Sequence, residues 1–127
     1  MNDVTKPMPD APPRLRIRIL FGEAMLGPGR ADLLEGIRAS GSIAAAGRAM
    51  DMSYKRAWSL VEEMNAAFRE PLVESTRGGA RGGGARLTDT GEAVLAHYRK
   101  LEEIAAEAGA ARLAALRSML RDIPGEK

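Results

Sequence analysis

Arginine and glycine crowd into one short stretch, residues 75–88, which reads STRGGARGGGARLT. No acidic residue interrupts it, and glycine permits positive φ angles and close approach of the backbone to a ligand. Guanidinium groups suit phosphate oxygens because they donate several hydrogen bonds in one plane. The stretch therefore predicts contact with a polyanion through Arg77, Arg81 and Arg86. The alternative is a solvated loop with incidental charge, whereas a nucleotide phosphate loop is excluded because no Lys-Ser/Thr pair follows the glycines.

A second group of polar residues opens a helical pattern at residues 53–68, SYKRAWSLVEEMNAAF. Polar and cationic side chains at the start of a helix are those that reach base edges when the helix enters the DNA major groove. The predicted contact residues are Ser53, Tyr54, Lys55, Arg56, Trp58 and Ser59. An ordinary amphipathic helix with solvated charges fits the same pattern. Trp58 lies beside the apolar stripe, which is also typical of a half-buried core residue.

The segment before this helix, SIAAAGRAMDM at residues 42–52, predicts a shorter helix with Ser42 as its N-cap. Its small residues permit close packing between helices, and Asp51 and Met52 form a tight connection to Ser53, the next cap. Two such helices predict a helix-turn-helix. LVES at 72–75 and ARLT at 85–88 then predict a hairpin around the arginine-glycine stretch. A helix-turn-helix followed by a hairpin is a winged helix.

Outer segments complete the predicted architecture. RLRIRILF at 14–21 alternates as a half-buried strand does, with Leu15, Ile17, Ile19 and Phe21 on one face. A helix follows at 30–40. A last helix is expected from Thr88 or Asp89 to about Arg121, and about 30 residues span about 45 Å. Its apolar residues predict a two-fold dimer or, alternatively, a helix folded back on its own domain; they are Tyr98, Leu101, Ala105, Leu113, Leu116 and Leu120.

Composition narrows the class of protein. The chain has 127 residues, of which 45% are hydrophobic and only 4% aromatic, as expected of one small, mainly helical domain. The net charge of +2 is modest, but bases and acids are segregated along the sequence, as in proteins with one face toward a polyanion. No apolar run reaches the roughly 18 residues that span a bilayer. We expect a cytoplasmic protein.

Enzymatic chemistry is not indicated. The chain has no cysteine and one histidine, His97, which lies within the predicted last helix. The adjacent carboxylates Glu62 and Glu63, like Glu102 and Glu103, lie on different sides of a helix and suit a solvated surface. We therefore expect no catalytic residues, no metal site and no cofactor.

Two long segments resemble a known family: SGSIAAAGRAMDMSYKRAWSLVEEMN and PLVESTRGGARGGGARLTDTGEAVLAHY, residues 40–65 and 71–98. They resemble the N-terminal DNA-binding domain of the molybdate-responsive ModE regulators and, more distantly, LysR-type DNA-binding domains. The specific features are the Gly-Ser-Ile helix start, Ser-Tyr-Lys-x-Ala-Trp, Glu-Met-Asn and a glycine-rich wing that ends in Leu-Thr-x-x-Gly. The resemblance covers roughly residues 15–120.

The resemblance implies a homodimeric winged-helix transcription regulator that binds double-stranded DNA, with Ser42 near the DNA backbone. The expected fold class is mainly α with a small β component. The expected organisation is a flexible tail at 1–13, the winged helix-turn-helix at 14–88, a dimerisation helix at 89–123 and a tail at 124–127. An alternative function is a protein-interaction module that docks a partner regulator.

Family members also carry a C-terminal molybdate-binding module, for which the 127 residues leave no room after the last helix. The chain is therefore expected to be a single-domain member of the family, or one whose effector is sensed by another chain. Molybdate is not expected to bind it.

Overall fold

The computed structural model describes residues 13–76 and 84–121. Its helices are α1 (Pro28–Ser40), α2 (Ile43–Ala49), α3 (Tyr54–Ala67), α4 (Asp89–Ala108) and α5 (Ala110–Ser118). Its strands are β1 (Ile19–Phe21), β2 (Ala24–Leu26), β3 (Val73–Thr76) and β4 (Gly84–Leu87). The strands form two antiparallel hairpins, β1–β2 and β3–β4. The predicted class, mainly α with a small β component, is confirmed.

The described residues divide into two compact units, residues 16–101 and a second unit that includes residues 102–121. The first unit contains the helix-turn-helix, both hairpins and a hydrophobic core of mainly aliphatic side chains. Helix α1 contributes Ala31, Leu33, Leu34 and Ile37 to that core. It begins at Pro28, two residues before the predicted start, because proline suits the first helical position, where its missing N–H has no intrahelical role.

Helices α2 and α3 begin as the sequence predicts. The Ser42 hydroxyl accepts a hydrogen bond from the Ala45 N–H at 3.0 Å, and the Ser53 hydroxyl accepts one from the Arg56 N–H at 3.0 Å. A Cβ atom on Gly47 would lie only 2.8 Å from the Ala57 Cβ, so the two helices pack at a distance that only glycine allows. The predicted close approach of small residues is confirmed.

The connection between these helices contains a non-glycine residue in the left-handed region. Asp51 has φ of 62°. It lies between two residues that both donate a backbone hydrogen bond to the Gly47 carbonyl, Met50 at 3.0 Å and Met52 at 2.9 Å. Aspartate tolerates this conformation better than most side chains, but glycine adopts it without steric cost.

The first predicted strand is shorter than expected. Only Ile19–Phe21 is extended and paired, with Ala24–Leu26, a strand that the sequence analysis missed. Gly22, with φ of 65°, turns the chain after Phe21, and the hairpin has only three residue pairs because α1 begins at Pro28, two residues after β2 ends. The prediction that Phe21 lies on a buried face is wrong, since it is 54% exposed, whereas Ile19 packs against the core as predicted.

The prediction of one unbroken last helix is wrong at Gly109. Helix α4 ends at Ala108 and α5 starts at Ala110, because Gly109 adopts φ of −94° and ψ of 6° and leaves the regular helical path. Glycine weakens a helix interior by about 1 kcal/mol relative to alanine. No residue between 102 and 121 is buried in the structure.

Tyr98 is also placed differently from the prediction. It was expected at a dimer interface, but it is 1% exposed and belongs to the core of residues 16–101. Its hydroxyl donates a hydrogen bond to the Ile17 carbonyl at 2.5 Å. A side chain that is fully packed inside its own domain has no surface left for a second chain, so this part of the dimer prediction is wrong.

We predict that Asp51→Gly raises the free energy of unfolding by about 0.5–1 kcal/mol, because glycine relieves the left-handed strain. Ala49→Gly, in the last turn of α2, is the control and lowers it by about the same amount, since there glycine only weakens a helix. Urea unfolding followed by circular dichroism measures both. A loss of stability in Asp51→Gly would show that the aspartate side chain stabilises the turn by an interaction that outweighs the strain.

Candidate nucleic-acid interface

Helix α3 has two faces with different chemistry. Ala57, Leu60, Val61 and Met64 are buried and fix the helix against the core. On its first two turns the remaining side chains face solvent: Tyr54, Lys55, Arg56 and Ser59 are exposed, as the sequence analysis predicted. The helix therefore presents a polar and cationic N-terminal end while its position is set by the apolar stripe.

Two aromatic rings meet on this N-terminal end. Tyr54 is 54% exposed and lies edge-to-face with Trp58, with centroids 6.4 Å apart and ring planes at 66°. Trp58 is half-buried and packs against the core, which confirms its predicted position beside the stripe. Trp58 thus contacts the Tyr54 ring, and about half of the tyrosine surface remains exposed.

The two predicted serine contacts are both N-caps. Because each hydroxyl oxygen already accepts a backbone N–H, the O–H hydrogen is the group that remains to donate. Ser53 is exposed and Ser42 is partly buried. Both lie at helix N-termini, where backbone N–H groups and the helix dipole favour an anion.

The charges on α3 oppose its dipole. Its first turn holds no acidic residue and instead carries Lys55 and Arg56. Cations near a helix N-terminus are repelled by the positive end of the helix dipole. An anion at the same place would stabilise the helix by about 0.3–1 kcal/mol. The acids Glu62 and Glu63 lie in the second half of the helix. A polyanion bound beside the first turn would offset this repulsion, because it would attract both the cations and the helix N-terminus.

The β3–β4 hairpin forms where it was predicted, with Val73 paired to Leu87 and Thr76 to Gly84. Of the predicted wing arginines, Arg77 and Arg81 lie outside the described residues. Arg86 is 69% exposed at its side chain, and its Nε donates to a Glu74 carboxylate oxygen at 2.7 Å. A phosphate that binds Arg86 would therefore compete with Glu74.

Asn65 ties the hairpin to α3, a role that the sequence analysis missed. Its Oδ1 accepts hydrogen bonds from the N–H groups of Leu72 at 2.8 Å and Val73 at 3.1 Å. Its Nδ2 donates to the Val73 carbonyl at 3.1 Å. The signal was present in the sequence, because asparagine is a poor choice for a helix interior unless its side chain has a specific partner.

The Leu-Thr-x-x-Gly motif ties the other end of the hairpin to α4. The Thr88 hydroxyl accepts from the Gly91 N–H at 2.9 Å, which confirms Thr88 as the cap, and donates to the Pro71 carbonyl at 2.7 Å. The Thr88 N–H donates to the Leu72 carbonyl at 2.9 Å. A Cβ on Gly91 would overlap the Leu72 carbonyl oxygen, so the motif requires glycine there.

A backbone bond also joins the hairpin to the start of the helix-turn-helix. The Ala85 N–H donates to the Gly41 carbonyl at 2.9 Å, at the corner between α1 and α2 where Gly41 has φ of 74°. A Cβ on Gly84 would lie 2.8 Å from the same carbonyl oxygen. This main-chain contact fixes the hairpin against the corner between α1 and α2.

The remaining predicted dimer residues differ in exposure. Leu101 is 46% exposed, Leu116 62% and Leu120 70%, whereas Ala105 and Leu113 are half-buried. Among the described residues, His, Cys, Asp and Glu form no group that could hold a metal ion. Within residues 13–76 and 84–121, no helix has the length and apolarity needed to cross a membrane.

The amino-acid sequence is similar to parts of the ModE and MopA proteins. The chain is 47% identical over 73 residues to the molybdenum transport protein ModE of Azotobacter vinelandii, which covers 58% of this chain and 27% of that one. It is 44% identical over 81 residues to the molybdenum-pterin-binding protein MopA of Rhodobacter capsulatus, covering 64% and 31%. The DNA-binding transcriptional dual regulator ModE of Escherichia coli is 42% identical over 77 residues, covering 61% and 29%. No family model matches the chain.

The fold agrees with a solved structure. The DNA-binding domain of CbnR, crystallised as a DNA complex, superposes with a TM-score of 0.54 at 24% identity, over 69% of this chain and 95% of that one. This chain has a ModE-like winged helix-turn-helix domain. The alignments span about a third or less of the ModE and MopA chains, so the similarity concerns the ModE-like domain and not those proteins as wholes.

We predict that Asn65→Ala destabilises the ModE-like domain by about 1–3 kcal/mol, because it leaves the partly buried N–H groups of Leu72 and Val73 without their acceptor. Asn65→Asp is the comparison variant: it keeps the acceptor for both N–H groups, although it loses the donor to the Val73 carbonyl and adds a negative charge, so exchange at Leu72 and Val73 should stay slower than in Asn65→Ala. Urea unfolding measures the stability, and amide hydrogen exchange at Leu72 and Val73 measures the local effect. Equal exchange rates in Asn65→Ala and the native chain would show that other contacts anchor the hairpin.

Proposed function

We propose that the ModE-like domain is a sequence-specific, non-enzymatic regulator of transcription that binds double-stranded DNA as a homodimer. Helix α3 enters the major groove, and the wing, residues 76–86, lies on the sugar-phosphate backbone or in the minor groove. The observation that carries this proposal is the exposed, acid-free and cationic first turn of α3, which the buried stripe holds clear of the core.

The dimensions and side chains of α3 support groove binding. The helix has 14 residues and so is about 21 Å long, and the major groove is about 12 Å wide and admits one helix. Lys55 and Arg56 can donate to guanine edges or to phosphates. Tyr54 offers a hydroxyl and a ring face for the sugar-phosphate backbone, and Ser59 lies one turn further along the same exposed side.

The relatives support regulation of transcription, since the Escherichia coli protein is described as a DNA-binding transcriptional dual regulator. In this chain Arg86, together with Arg77 and Arg81, supplies the proposed phosphate contacts of the wing. Binding exchanges the Arg86–Glu74 pair for an Arg86–phosphate pair, so part of the gain is offset by the loss of the internal contact.

The dimer rests on the exposed apolar residues after Tyr98. Leu101, Leu116 and Leu120, with Ala105 and Leu113, form the proposed contact, and a two-fold axis places two recognition helices about 34–36 Å apart, one turn of DNA. Molybdate is not a ligand of this chain in the proposal. The same exposed leucines favour the second candidate function, in which α5 docks a partner regulator instead of a second copy.

We predict that Lys55→Ala or Arg56→Ala lowers affinity for the preferred site by about 1–3 kcal/mol if the residue contacts a base edge, and lowers non-specific binding less. Fluorescence anisotropy with a duplex selected from random DNA, and with its scrambled form, measures both. Arg112→Ala, which removes an exposed arginine of α5, is the charge-matched control. If both α3 variants keep the native preference for the selected duplex, α3 is not the recognition helix.

The wing is expected to act through charge and not through sequence. Replacing Arg77, Arg81 and Arg86 by Ala should weaken binding to all duplexes alike, and each lost phosphate contact should reduce the slope of log K against log salt by about 0.9. Glu74→Gln is the opposing variant and should strengthen binding, because it frees Arg86. An unchanged slope in the triple variant would mean that the wing is a solvated loop.

A further inference from the structure

A groove with a volume of about 330 Å³ lies between the β1–β2 hairpin and the second half of α3. The walls of this β1–β2 groove are mainly apolar and include Phe21, Met25, Met64 and Phe68. Phe21 is 54% exposed and lies edge-to-face with Phe68, with ring centroids 6.5 Å apart. None of the lining residues belongs to the exposed first turn of α3, so the groove is separate from the proposed DNA-binding surface.

Carboxylates outnumber cations along the β1–β2 groove. Its ionic lining residues are Glu23, Glu63 and Arg30, so the net formal charge is −2 + 1 = −1. A Glu63 carboxylate oxygen already pairs with the Arg30 Nη2 at 3.0 Å, whereas Glu23 is exposed at the turn of the hairpin. Complementary charge favours association and opposes wrong partners. The groove therefore suits an apolar surface that carries positive charge at its edges.

Helix α5 and the three residues after it have this chemistry. Residues 110–121, AARLAALRSMLR, hold three arginines and no acid. The spacing of Leu113, Leu116 and Leu120 places them on one side of a helix. Leu116 is 62% exposed, Met119 77% and Leu120 70%, and no residue of the segment is buried. The segment thus presents a stripe of leucines beside cations.

The same charges disfavour contact between two copies of this segment. Two segments packed against each other would bring together three arginines from each copy, and neither segment has a carboxylate to neutralise them. Like charges that face each other across an interface cost free energy. The β1–β2 groove offers the carboxylates that the segment itself lacks, so the charge pattern favours the groove as its contact surface.

We propose that, in the homodimer, α5 of each copy docks through Leu116 and Leu120 in the β1–β2 groove of the other copy. A two-fold axis makes this contact twice, since each copy supplies one helix and one groove. The contact would also cover the exposed part of Phe21. The inference rests on the proposed homodimer and names the surface that its exposed leucines contact.

Replacement of Phe21 tests the apolar part of the groove. Phe21→Thr keeps a residue that favours strands but removes the ring from both copies of the contact, so the Kd of the dimer should rise at least about ten-fold. Leu20→Thr is the matched control, because Leu20 is 65% exposed on the same strand but does not line the groove. It should leave the Kd unchanged. Sedimentation equilibrium of the full chain measures the Kd, and circular dichroism shows whether each variant folds.

Charge reversal tests which surfaces meet, also if Phe21→Thr does not fold. Glu23→Lys changes the formal charge of the groove to −1 + 2 = +1. Arg117→Glu combined with Arg121→Glu changes that of residues 110–121 to +3 − 4 = −1. At about 10 mM salt the Debye length is about 30 Å, so the charges act without direct pairing. Each variant alone should dimerise at least about three-fold more weakly than the native chain, because groove and helix then repel each other.

A mixture of these two charge variants is the decisive measurement. In a mixed dimer each groove meets a helix of opposite charge, so more than half of the dimers in an equimolar mixture should contain one copy of each variant. Native mass spectrometry counts them, because the two variants differ in mass. About 0.5 M salt should reduce the excess of mixed dimers, since screening weakens the charge terms.

Four outcomes would overturn the proposal. If Phe21→Thr dimerises as the native chain does, or Leu20→Thr loses as much affinity, the groove is not the contact and the homodimer uses another surface. If the double arginine variant dimerises more tightly than the native chain, α5 packs on α5. If mixed dimers are not in excess, α5 does not meet the groove of a second copy. A native chain that stays monomeric at every concentration would overturn the homodimer as well.

Discussion

The close approach of α2 and α3 at Gly47 and Ala57 is the constraint on which the position of the exposed first turn of α3 depends. A Cβ on Gly47 would meet the Ala57 Cβ at 2.8 Å, so any side chain there would push α3 away. The approach leaves only a short connection between the helices, and Asp51 adopts a positive φ within it. With α3 fixed this way, its first turn projects from the core, and Tyr54, Lys55 and Arg56 remain exposed.

Polar contacts with the main chain hold the two strands of the β3–β4 hairpin in place. Asn65 anchors the entry to β3, Thr88 anchors the exit from β4, and the Gly41 carbonyl accepts from Ala85 within β4. These contacts join α3, α4 and the α1–α2 corner to one hairpin. They also explain why glycine stands at position 91, since the backbone of α4 touches the Leu72 carbonyl there.

Much of this fold could be predicted from local patterns. The serine caps, the buried stripe of α3 and the β3–β4 hairpin follow from spacing and residue type within a few turns of chain. Tyr98 could not be assigned, because an apolar stripe has the same periodicity whether it packs on its own core or on a partner. The break at Gly109 could not be predicted, because a single glycine in a long helical pattern weakens the helix without always interrupting it. The ion pair between Arg30 of α1 and Glu63 of α3 is a tertiary contact, which no local pattern contains.

In helix α3 the buried side chains stabilise the helix, whereas its charges do not. Its cations lie near the positive end of the dipole, its acids lie in the second half, and its last turn has no basic residue, so the charges weaken the helix. Stability must then come from the Ser53 cap and from four buried side chains, Ala57, Leu60, Val61 and Met64. Because these contacts hold the helix without help from its charges, the exposed Lys55 and Arg56 can serve the proposed DNA contact although they weaken the helix. Glu63, in the second half of the helix, instead pairs with Arg30 of α1.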